Sequence, residues 1–262
     1  MRSTITLTTD FGDVYPSIMK GVIIEIDPDA DIVDITSSVP AGDIMYGAFV
    51  LKFASAYFPP GTIHLAVVDP GVGGRRRAIM ISGDLYTFIG PDNGLLMPAA
   101  RAQGSFRVFE IANLEFFTND VSPVFHGRDV FAPAAGYVSS GRDIPGLREI
   151  NDPVELDFGK PDIWGSEVHG KVLYVDKFGN VITNIEGNML KRLYRPGEML
   201  NINGLTVVYV KAYSDVEKGQ LITLVGSHGM AEVACNGGSA SDLAELKPGS
   251  EIIIGPHKGK TY

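Results

Sequence analysis

Residues 62–74 read TIHLAVVDPGVGG, an apolar, β-prone run that stops at Asp69 and passes into a glycine-rich loop. An apolar run bounded by proline and glycine predicts a β-strand, and the glycines allow backbone amides to approach a ligand. Ligands of open α/β sheets bind at the carboxyl ends of strands. This stretch therefore predicts a strand and one edge of a binding site.

The flanking sequence extends this pattern, because short apolar runs alternate with amphipathic stretches of helical length. That alternation is typical of βα units around a mostly parallel sheet. Asp43 is expected to cap a helix that runs to about Tyr57, since an aspartate can satisfy the free amides of a first helical turn. We therefore predict a Rossmann-like α/β domain over residues 1–160. Further strands are expected at residues 5–8, 32–35, 78–82 and 86–89, and further helices at residues 17–26 and 130–137.

From about Trp164 onward the sequence changes to short strands at close spacing, separated by glycine and asparagine turns. This pattern indicates a smaller antiparallel β-barrel or sandwich, which we place at residues 166–262. Prolines and glycines within residues 150–166 mark the expected boundary between the two domains. The expected strands cover residues 168–175, 181–185, 205–209, 221–225, 232–234 and 251–254.

The composition argues against several classes of protein. The chain has 22 lysines and arginines against 31 aspartates and glutamates, a formal net charge of −9, so binding to a nucleic-acid backbone is disfavoured. Its hydrophobic content of 45% is enough to bury a core. One cysteine, Cys235, excludes an internal disulfide framework. Because we find neither a signal peptide nor a membrane-spanning run, we expect a cytoplasmic protein without a membrane partner.

Two aspartates follow expected strands in the first domain. Asp10 lies in the motif TTDFGD and could accept hydrogen bonds from a ribose diol, although an ordinary turn or helix cap fits the spacing as well. Asp69 shares its loop with three arginines at residues 75–77. These arginines fit a ligand contact and a solvated face about equally.

His126 lies in the motif FHGRD, where a helix is expected to begin. Histidine has a pKa suited to general base catalysis near neutral pH, although a lone histidine is more often structural. His64 lies within an apolar strand and is expected to be packed. A metal site formed by His64, Asp69 and His126 stays open, although the spacing matches no known ligand motif.

The second domain carries polar and aromatic residues in its turns. The segment DKFGNVITN occupies residues 176–184, and Tyr213 lies in the short motif YSD. Gly-Ser-His-Gly and Asn-Gly-Gly follow at residues 226–229 and 236–238. An aromatic ring beside asparagine and serine could stack on a base and bind its polar edge. Taken one at a time, each of these motifs is also explained by an ordinary hairpin turn.

Taken together and in order, TTDFG, DPGVG, FHGRD and FGNVITN resemble the S-adenosyl-L-methionine hydrolase (adenosine-forming) family, also called SAM hydroxide adenosyltransferases, which is related to the fluorinases and chlorinases. The resemblance implies an α/β domain followed by a β-barrel. It also implies a homotrimer that holds S-adenosyl-L-methionine between one subunit's first domain and a neighbour's second. The implied products are adenosine and methionine, and no metal or other cofactor is needed.

The resemblance also assigns roles to individual residues. Asp69, Arg76 and His126 correspond to the water-handling set, with Arg76 chosen because the family places this arginine seven residues after the aspartate. The residues implied to bind substrate are Asp10 and Asp13 near the ribose, Tyr213 on the adenine ring, Asp176, Asn180 and Ser227 on the methionine part, and His228 at the adenine edge.

Two other functions stay open at this point. A halide adenosyltransferase of the chlorinase type would use the same substrate and fold, but the Asp69 carboxylate would repel a halide ion. A protein that binds adenosine or S-adenosyl-L-methionine without turnover is the second alternative.

Overall fold

The computed structural model describes residues 3–257 and divides into two compact units between Asp157 and Phe158. Each unit has its own hydrophobic core. Within residues 3–257, no helix combines the length and apolar character needed to cross a membrane.

The first unit is an α/β structure with a single sheet. Its strands are β1 (Thr4–Thr9), β2 (Asp31–Thr36), β3 (Ile63–Val67), β4 (Ala78–Gly83), β5 (Thr87–Pro91), β6 (Phe106–Ile111) and β7 (Leu147–Ile150). Its helices are α1 (Val14–Ile26), α2 (Ile44–Ser55), α3 (Met97–Ala102) and α4 (Ala132–Ser139). The sheet order is β2-β1-β3-β5-β4-β6-β7.

Most strands of this sheet run in the same direction, as predicted. The pairings from β2 through β1 and β3 to β5 are parallel. The strands β4, β6 and β7 pair antiparallel at the other edge. The predicted cap of α2 is confirmed, because the Asp43 carboxylate accepts from the amide of Tyr46 at 2.9 Å.

The parallel pairing of β1 with β3 sets the position of two aspartates. Thr9 lies opposite Val67 in the register, so Asp10 and Asp69 follow the carboxyl ends of adjacent strands. Aliphatic side chains on these strands, such as Ile5, are completely buried, and each such side chain contributes roughly 1.5–3 kcal/mol. A rigid core therefore supports the edge of the sheet that carries both aspartates.

His64 is a fully buried histidine inside β3, as the sequence predicted. Its Nδ1 lies 2.7 Å from the Thr6 hydroxyl oxygen, and its ring packs against Phe58, Tyr86 and Phe88. Burial disfavours the imidazolium and lowers the pKa of His64 from 6.5 to about 4. Between those two pH values the unfolded chain binds more protons than the folded protein.

We expect the free energy of unfolding to fall as the pH drops from 6.5 through 4, because the lowered pKa of His64 contributes stability only while the imidazole is neutral. The contribution of this residue is up to roughly 3 kcal/mol. Urea denaturation across this pH range measures the effect. His64→Gln should lose this part of the pH dependence, whereas the exposed control His257→Gln should keep it. An identical acid limb in His64→Gln and the parent protein would contradict this explanation.

The second unit is a β-barrel. Its strands are β8 (Asp162–Trp164), β9 (Glu167–Val175), β10 (Val181–Glu186), β11 (Met199–Ile202), β12 (Leu205–Tyr209), β13 (Leu221–Val225), β14 (Met230–Cys235) and β15 (Glu251–Pro256), and its helices are α5 (Gly187–Leu193) and α6 (Ala240–Ala244). They pair in the order β10-β14-β13-β12-β11-β15-β9, and a further pairing of β9 with β10 closes the ring. Strand β8 lies outside this ring as a hairpin partner of β9.

The barrel is confirmed, but the expectation of purely antiparallel pairing is wrong at one place. Strands β12 and β13 pair in parallel. Parallel neighbours need a crossover rather than a tight hairpin. Here the crossover contains a short helical turn at Tyr213–Asp215, and it brings the Tyr213 hydroxyl to Glu232 of β14.

Candidate active site

Asp69 begins the loop that leaves β3. The Asn93 side-chain amide donates to the Val68 carbonyl at 2.8 Å, which holds the chain just before the aspartate. Later in the loop, Gly73 has a φ of +73°, and a Cβ at this position would lie 2.1 Å from the Pro123 carbonyl oxygen. Only glycine allows this approach. The Asp69 loop is thus held against the segment that leads into the FHGRD motif.

Asp69, Arg76 and His126 form one connected cluster. Arg76 Nε lies 3.1 and 3.0 Å from Asp69 Oδ1 and Oδ2, and Arg76 Nη2 lies 2.5 Å from Oδ2. The same Nη2 lies 2.9 Å from His126 Nδ1. The side chains of Asp69 and Arg76 are only 3% and 10% exposed. The ion pair is therefore shielded from water, and removing either partner would leave a buried charge uncompensated.

The contact with Arg76 determines which nitrogen of His126 carries the proton. A guanidinium only donates hydrogen bonds, so His126 Nδ1 accepts and the proton of the neutral imidazole is on Nε2. The pKa of His126 is lowered below its ordinary value of 6.5. Burial is the larger cause, and the positive charge of Arg76 is the second. His126 is therefore a neutral donor through Nε2, a role that this geometry favours over that of a general base.

We expect kcat/KM for the reaction at this site to fall at acid pH, with the midpoint below 6.5. The sign follows from the lowered pKa of His126, because the imidazolium cannot accept from Arg76 and the cluster opens on protonation. A pH–rate profile measures this, and circular dichroism at each pH separates the effect from acid unfolding. Activity that rises as the pH falls from 6.5, with the fold intact, would contradict it.

Of the three neighbouring arginines, only Arg76 contacts both Asp69 and His126. Arg77 instead donates to the buried Asp92 at 2.7 Å and to Asp152 at 2.8 Å. Arg75 is exposed. The partners of Arg76 and Arg77, rather than their exposure, separate the Asp69–Arg76–His126 cluster from the ion pair of Arg77 with Asp92.

A cavity of about 440 Å³ lies beside the cluster, within the first unit. Its lining includes Asp69 and His126 together with three aromatic side chains, Phe11, Tyr15 and Phe125. The three rings meet edge to face, with centroids 6.2, 6.1 and 5.1 Å apart. A mainly apolar cavity with a few polar groups at its wall is the usual form of a small-molecule site.

Asp10 and Asp13 both follow β1 but have different surroundings. Asp10 Oδ2 accepts from the amide of Gly42 at 2.8 Å, whereas its buried Oδ1 has no hydrogen-bond partner within residues 3–257. A buried acceptor without a partner is costly, so Oδ1 is suited to accept a ligand hydroxyl. Asp13 is exposed and precedes α1, where its side chain caps no amide.

Asp129 is a further buried carboxylate, which the sequence analysis did not select. It accepts from the amide of Ser122 at 2.8 Å and from Arg128 Nε at 2.6 Å. These bonds connect the loop before His126 with the π-helical turn at Gly127–Phe131. Such turns are frequent at functional sites. The motif FHGRD contained this residue, so the signal was present in the sequence.

In the second unit, Asp176, Asn180 and Tyr213 line a cavity of about 550 Å³. Asp176 Oδ1 accepts from the amides of Phe178 and Asn180 at 2.8 and 2.9 Å, and Oδ2 accepts from Asn180 Nδ2 at 3.0 Å. The Phe178 ring, 65% exposed, also lines this cavity. Phe178 was part of the quoted motif but was not selected as a site residue.

Ser227 and His228 lie in the hairpin between β13 and β14. Ser227 is exposed and lines a different cavity, of about 660 Å³, together with Arg195. His228 Nε2 lies 3.4 Å from Glu232 Oε2. Glu232 is a buried carboxylate that the sequence analysis missed. The sequence signal for Glu232 was its position as a single charged residue within the otherwise apolar strand β14.

The hypothesised metal site is not formed. Among the residues that the structure describes, no group of three or more histidine, cysteine, aspartate or glutamate side chains is arranged to hold a metal ion. His64 instead contacts Thr6 in the core, and the nitrogen of His126 nearest the cluster is occupied by Arg76.

Family models match both units of the chain. Residues 5–148 match the SAM hydroxide adenosyltransferase N-terminal domain, and residues 170–253 match the SAM hydroxide adenosyltransferase C-terminal domain. The two matches occur in the same order as the motifs along the sequence.

Individual proteins are similar over nearly the whole chain. A protein from Salinispora tropica named (R)-S-adenosyl-L-methionine hydrolase is 39% identical over 95% of this chain and 97% of its own length. A fluorinase from an Actinoplanes species is more distant, at 23% identity over 95% of this chain and 96% of its own. A crystal structure of an uncharacterized conserved protein from Thermotoga maritima has a TM-score of 0.88 and 36% identity, covering 95% of this chain and 99% of that chain.

Proposed function

This chain belongs to the SAM hydroxide adenosyltransferase family, and we propose that Asp69, Arg76 and His126 direct a water molecule onto C5′ of its substrate. The protein hydrolyses S-adenosyl-L-methionine to adenosine and L-methionine. Relatives at 35–39% identity are named (R)-S-adenosyl-L-methionine hydrolase. The connected, water-shielded cluster at the wall of an aromatic cavity is the observation that carries this proposal.

The chemistry requires a nucleophile more than an acid. Water oxygen forms a bond to C5′ while the bond from C5′ to the sulfonium sulfur breaks, and the sulfur keeps the electron pair. Methionine leaves as a neutral thioether and needs no proton. One proton must leave the attacking water, so activation and orientation of that water are the tasks of the protein.

Each member of the cluster has a separate task in this proposal. Asp69 accepts the water proton and orients the oxygen toward C5′. His126 donates through Nε2 to the same oxygen, which stabilises the negative charge that develops there. Arg76 holds both residues in place through its contacts with Asp69 and with His126 Nδ1.

The first unit supplies the ribose contacts in this proposal. We treat the parallel strands β2-β1-β3-β5 as a Rossmann-like platform, because ligands of such sheets bind at the carboxyl ends of strands. Asp10 follows β1 and accepts a ribose hydroxyl through its unpartnered Oδ1. Asp13, exposed at the start of α1, is a second contact from the same loop.

The second unit supplies the adenine and methionine contacts. Tyr213 stacks on the adenine ring, while Asp176 and Asn180 bind the methionine amine and carboxylate. Ser227 and His228 contribute from the hairpin between β13 and β14. The cavity shared by Asp176, Asn180 and Tyr213 supports the first part of this assignment. Ser227 lines a separate cavity, so its assignment depends on the family resemblance.

The assembly is also part of the proposal. The family resemblance implies a homotrimer in which the first unit of one subunit and the second unit of a neighbour hold one substrate molecule. Sedimentation equilibrium of the purified protein tests this, since a trimer would have three times the mass of the 28.1 kDa chain.

A cytoplasmic location fits the single cysteine, Cys235.

Incubation with S-adenosyl-L-methionine, followed by chromatography, tests the function. We expect adenosine and methionine in equal amounts, unchanged by a chelator. A parallel incubation with chloride should give no 5′-chloro-5′-deoxyadenosine. The chlorinated product would instead establish halide transfer, and stoichiometric binding without adenosine release would establish a binding protein.

A further inference from the structure

Glu232 is a buried carboxyl side chain on the outer side of the barrel wall. Its strand neighbours Ala231 and Val233 belong to the barrel core, and side chains alternate along a strand, so Glu232 points away from that core. It is nevertheless only 4% exposed. Buried carboxylates are rare in proteins unless they are paired.

Two side chains from different loops meet this carboxylate, Tyr213 through a hydrogen bond and His228 through a longer contact. Tyr213 Oη lies 2.5 Å from Glu232 Oε1, and His228 Nε2 lies 3.4 Å from Glu232 Oε2. The amide of Met230 donates to His228 Nδ1 at 3.2 Å, so Nε2, which faces Glu232, is the ring nitrogen that carries a proton. The pKa of Tyr213 is raised, first by burial and second by the hydrogen bond to Glu232. The phenol therefore stays protonated and donates this hydrogen bond.

The space around Glu232 is closely filled. A Cβ at Gly226 would lie 2.6 Å from the His228 ring and 2.7 Å from Glu232 Oε2. Glycine at this position therefore lets the hairpin turn fold directly onto the carboxylate. The Glu232 side chain thus connects the crossover after β12, which carries Tyr213, with the hairpin after β13, which carries His228.

We propose that Glu232 is a positioning residue that holds the Tyr213 ring and the 226–229 turn in the orientation that receives the adenosine part of the substrate. This inference rests on the proposed function, in which Tyr213 stacks on adenine. The Tyr213 residue is 42% exposed, and without its anchor the ring would lose a fixed orientation. Immobilising a free side chain on binding costs affinity. The hydrogen bond from Tyr213 to Glu232 fixes the ring before the substrate binds, so this cost is avoided.

This role predicts an effect on binding rather than on chemistry. The reacting atoms belong with Asp69 and His126, whereas Glu232 touches Tyr213 and His228 and uses its two oxygens for them. Glu232→Gln keeps the shape but replaces the carboxylate by a neutral amide, which weakens the short hydrogen bond from Tyr213 and removes the charge that faces His228. Tyr213→Phe keeps the aromatic ring and removes only the hydroxyl.

The test is a double-mutant cycle in the full-length protein, with adenosine Kd from calorimetry and KM and kcat for S-adenosyl-L-methionine. Each single variant should raise Kd and KM roughly 2- to 10-fold, the effect of one released side chain, with kcat within about 2-fold. The double variant should be no worse than either single variant, because both remove the same interaction. Thr223→Val is the matched control, since Thr223 donates to the Glu232 backbone carbonyl at 3.0 Å but not to its side chain.

Three results would overturn the inference. They are unchanged Kd and KM in folded Glu232→Gln, additive losses in the double variant, or an equal rise in Kd in Thr223→Val, which would indicate general loosening of the barrel. Failure of the proposed function is seen separately, as parent protein that binds adenosine but releases none from S-adenosyl-L-methionine. The adenosine Kd values then still test the role of Glu232.

Discussion

Asp69→Asn is expected to lower kcat for adenosine formation by about 10²- to 10⁴-fold, the usual contribution of a positioned proton acceptor. An asparagine has nearly the same shape and can still accept from Arg76, so the cavity should keep its form. The Arg76 charge is left uncompensated, however, so the free energy of unfolding should fall, and kcat is measured where circular dichroism shows a folded variant. The asparagine cannot take a proton from water. Substrate binding should largely survive, because Asp69 acts on the water rather than on the adenosine. Single-turnover kinetics together with calorimetric binding of substrate separate the two effects.

Asp152→Asn is the matched control for this variant. Asp152 also pairs with an arginine of the 75–77 segment, but its side chain is 81% exposed and its partner is Arg77. We expect parental kcat in Asp152→Asn. If Asp69→Asn turned over at the parental rate, another residue would have to accept the water proton.

Arg76→Lys is expected to lower kcat/KM by about 10²-fold or more, the scale of losing one preorganised donor at a reacting centre. The guanidinium contacts both Asp69 oxygens and His126 Nδ1 at the same time. A lysine ammonium is a point charge without that planar fork, so it cannot hold the carboxylate and the imidazole together. Steady-state kinetics measure the loss, and urea denaturation should show a fold close to the parent.

Arg76→Met removes the charge as well and should destabilise the protein by about 3–5 kcal/mol, because the buried Asp69 loses its partner. Arg75→Lys changes the adjacent, exposed arginine and should leave both activity and stability unaltered. Equal losses in Arg75→Lys and Arg76→Lys would show that the segment contributes general positive charge rather than a specific contact.

Strands with strong local signals were predictable. β3 and β13 are nearly continuous apolar runs, β1 alternates threonine with isoleucine and leucine, and the helix capped by Asp43 carried its own start signal. By contrast, β7 was not predicted, since Arg148 and Glu149 interrupt its apolar pattern. The strand β7 forms because it pairs with β6 at the edge of the sheet, and an edge position tolerates exposed charges. Pairing of this kind depends on distant partners and leaves little trace in local composition.

Local sequence was sufficient to identify the strand-end aspartates, the glycine loops and, through the order of four motifs, the family. These are properties of short segments, since strand propensity and turn chemistry act over a few residues. The resemblance already pointed to Arg76, but only the tertiary structure showed its contacts with both Asp69 and His126, assigned the proton of His126 to Nε2 and revealed Glu232. Arg76 and His126 are 50 residues apart in sequence. Which nitrogen faces which oxygen is decided by packing between segments, and spacing along the chain carries no information about it.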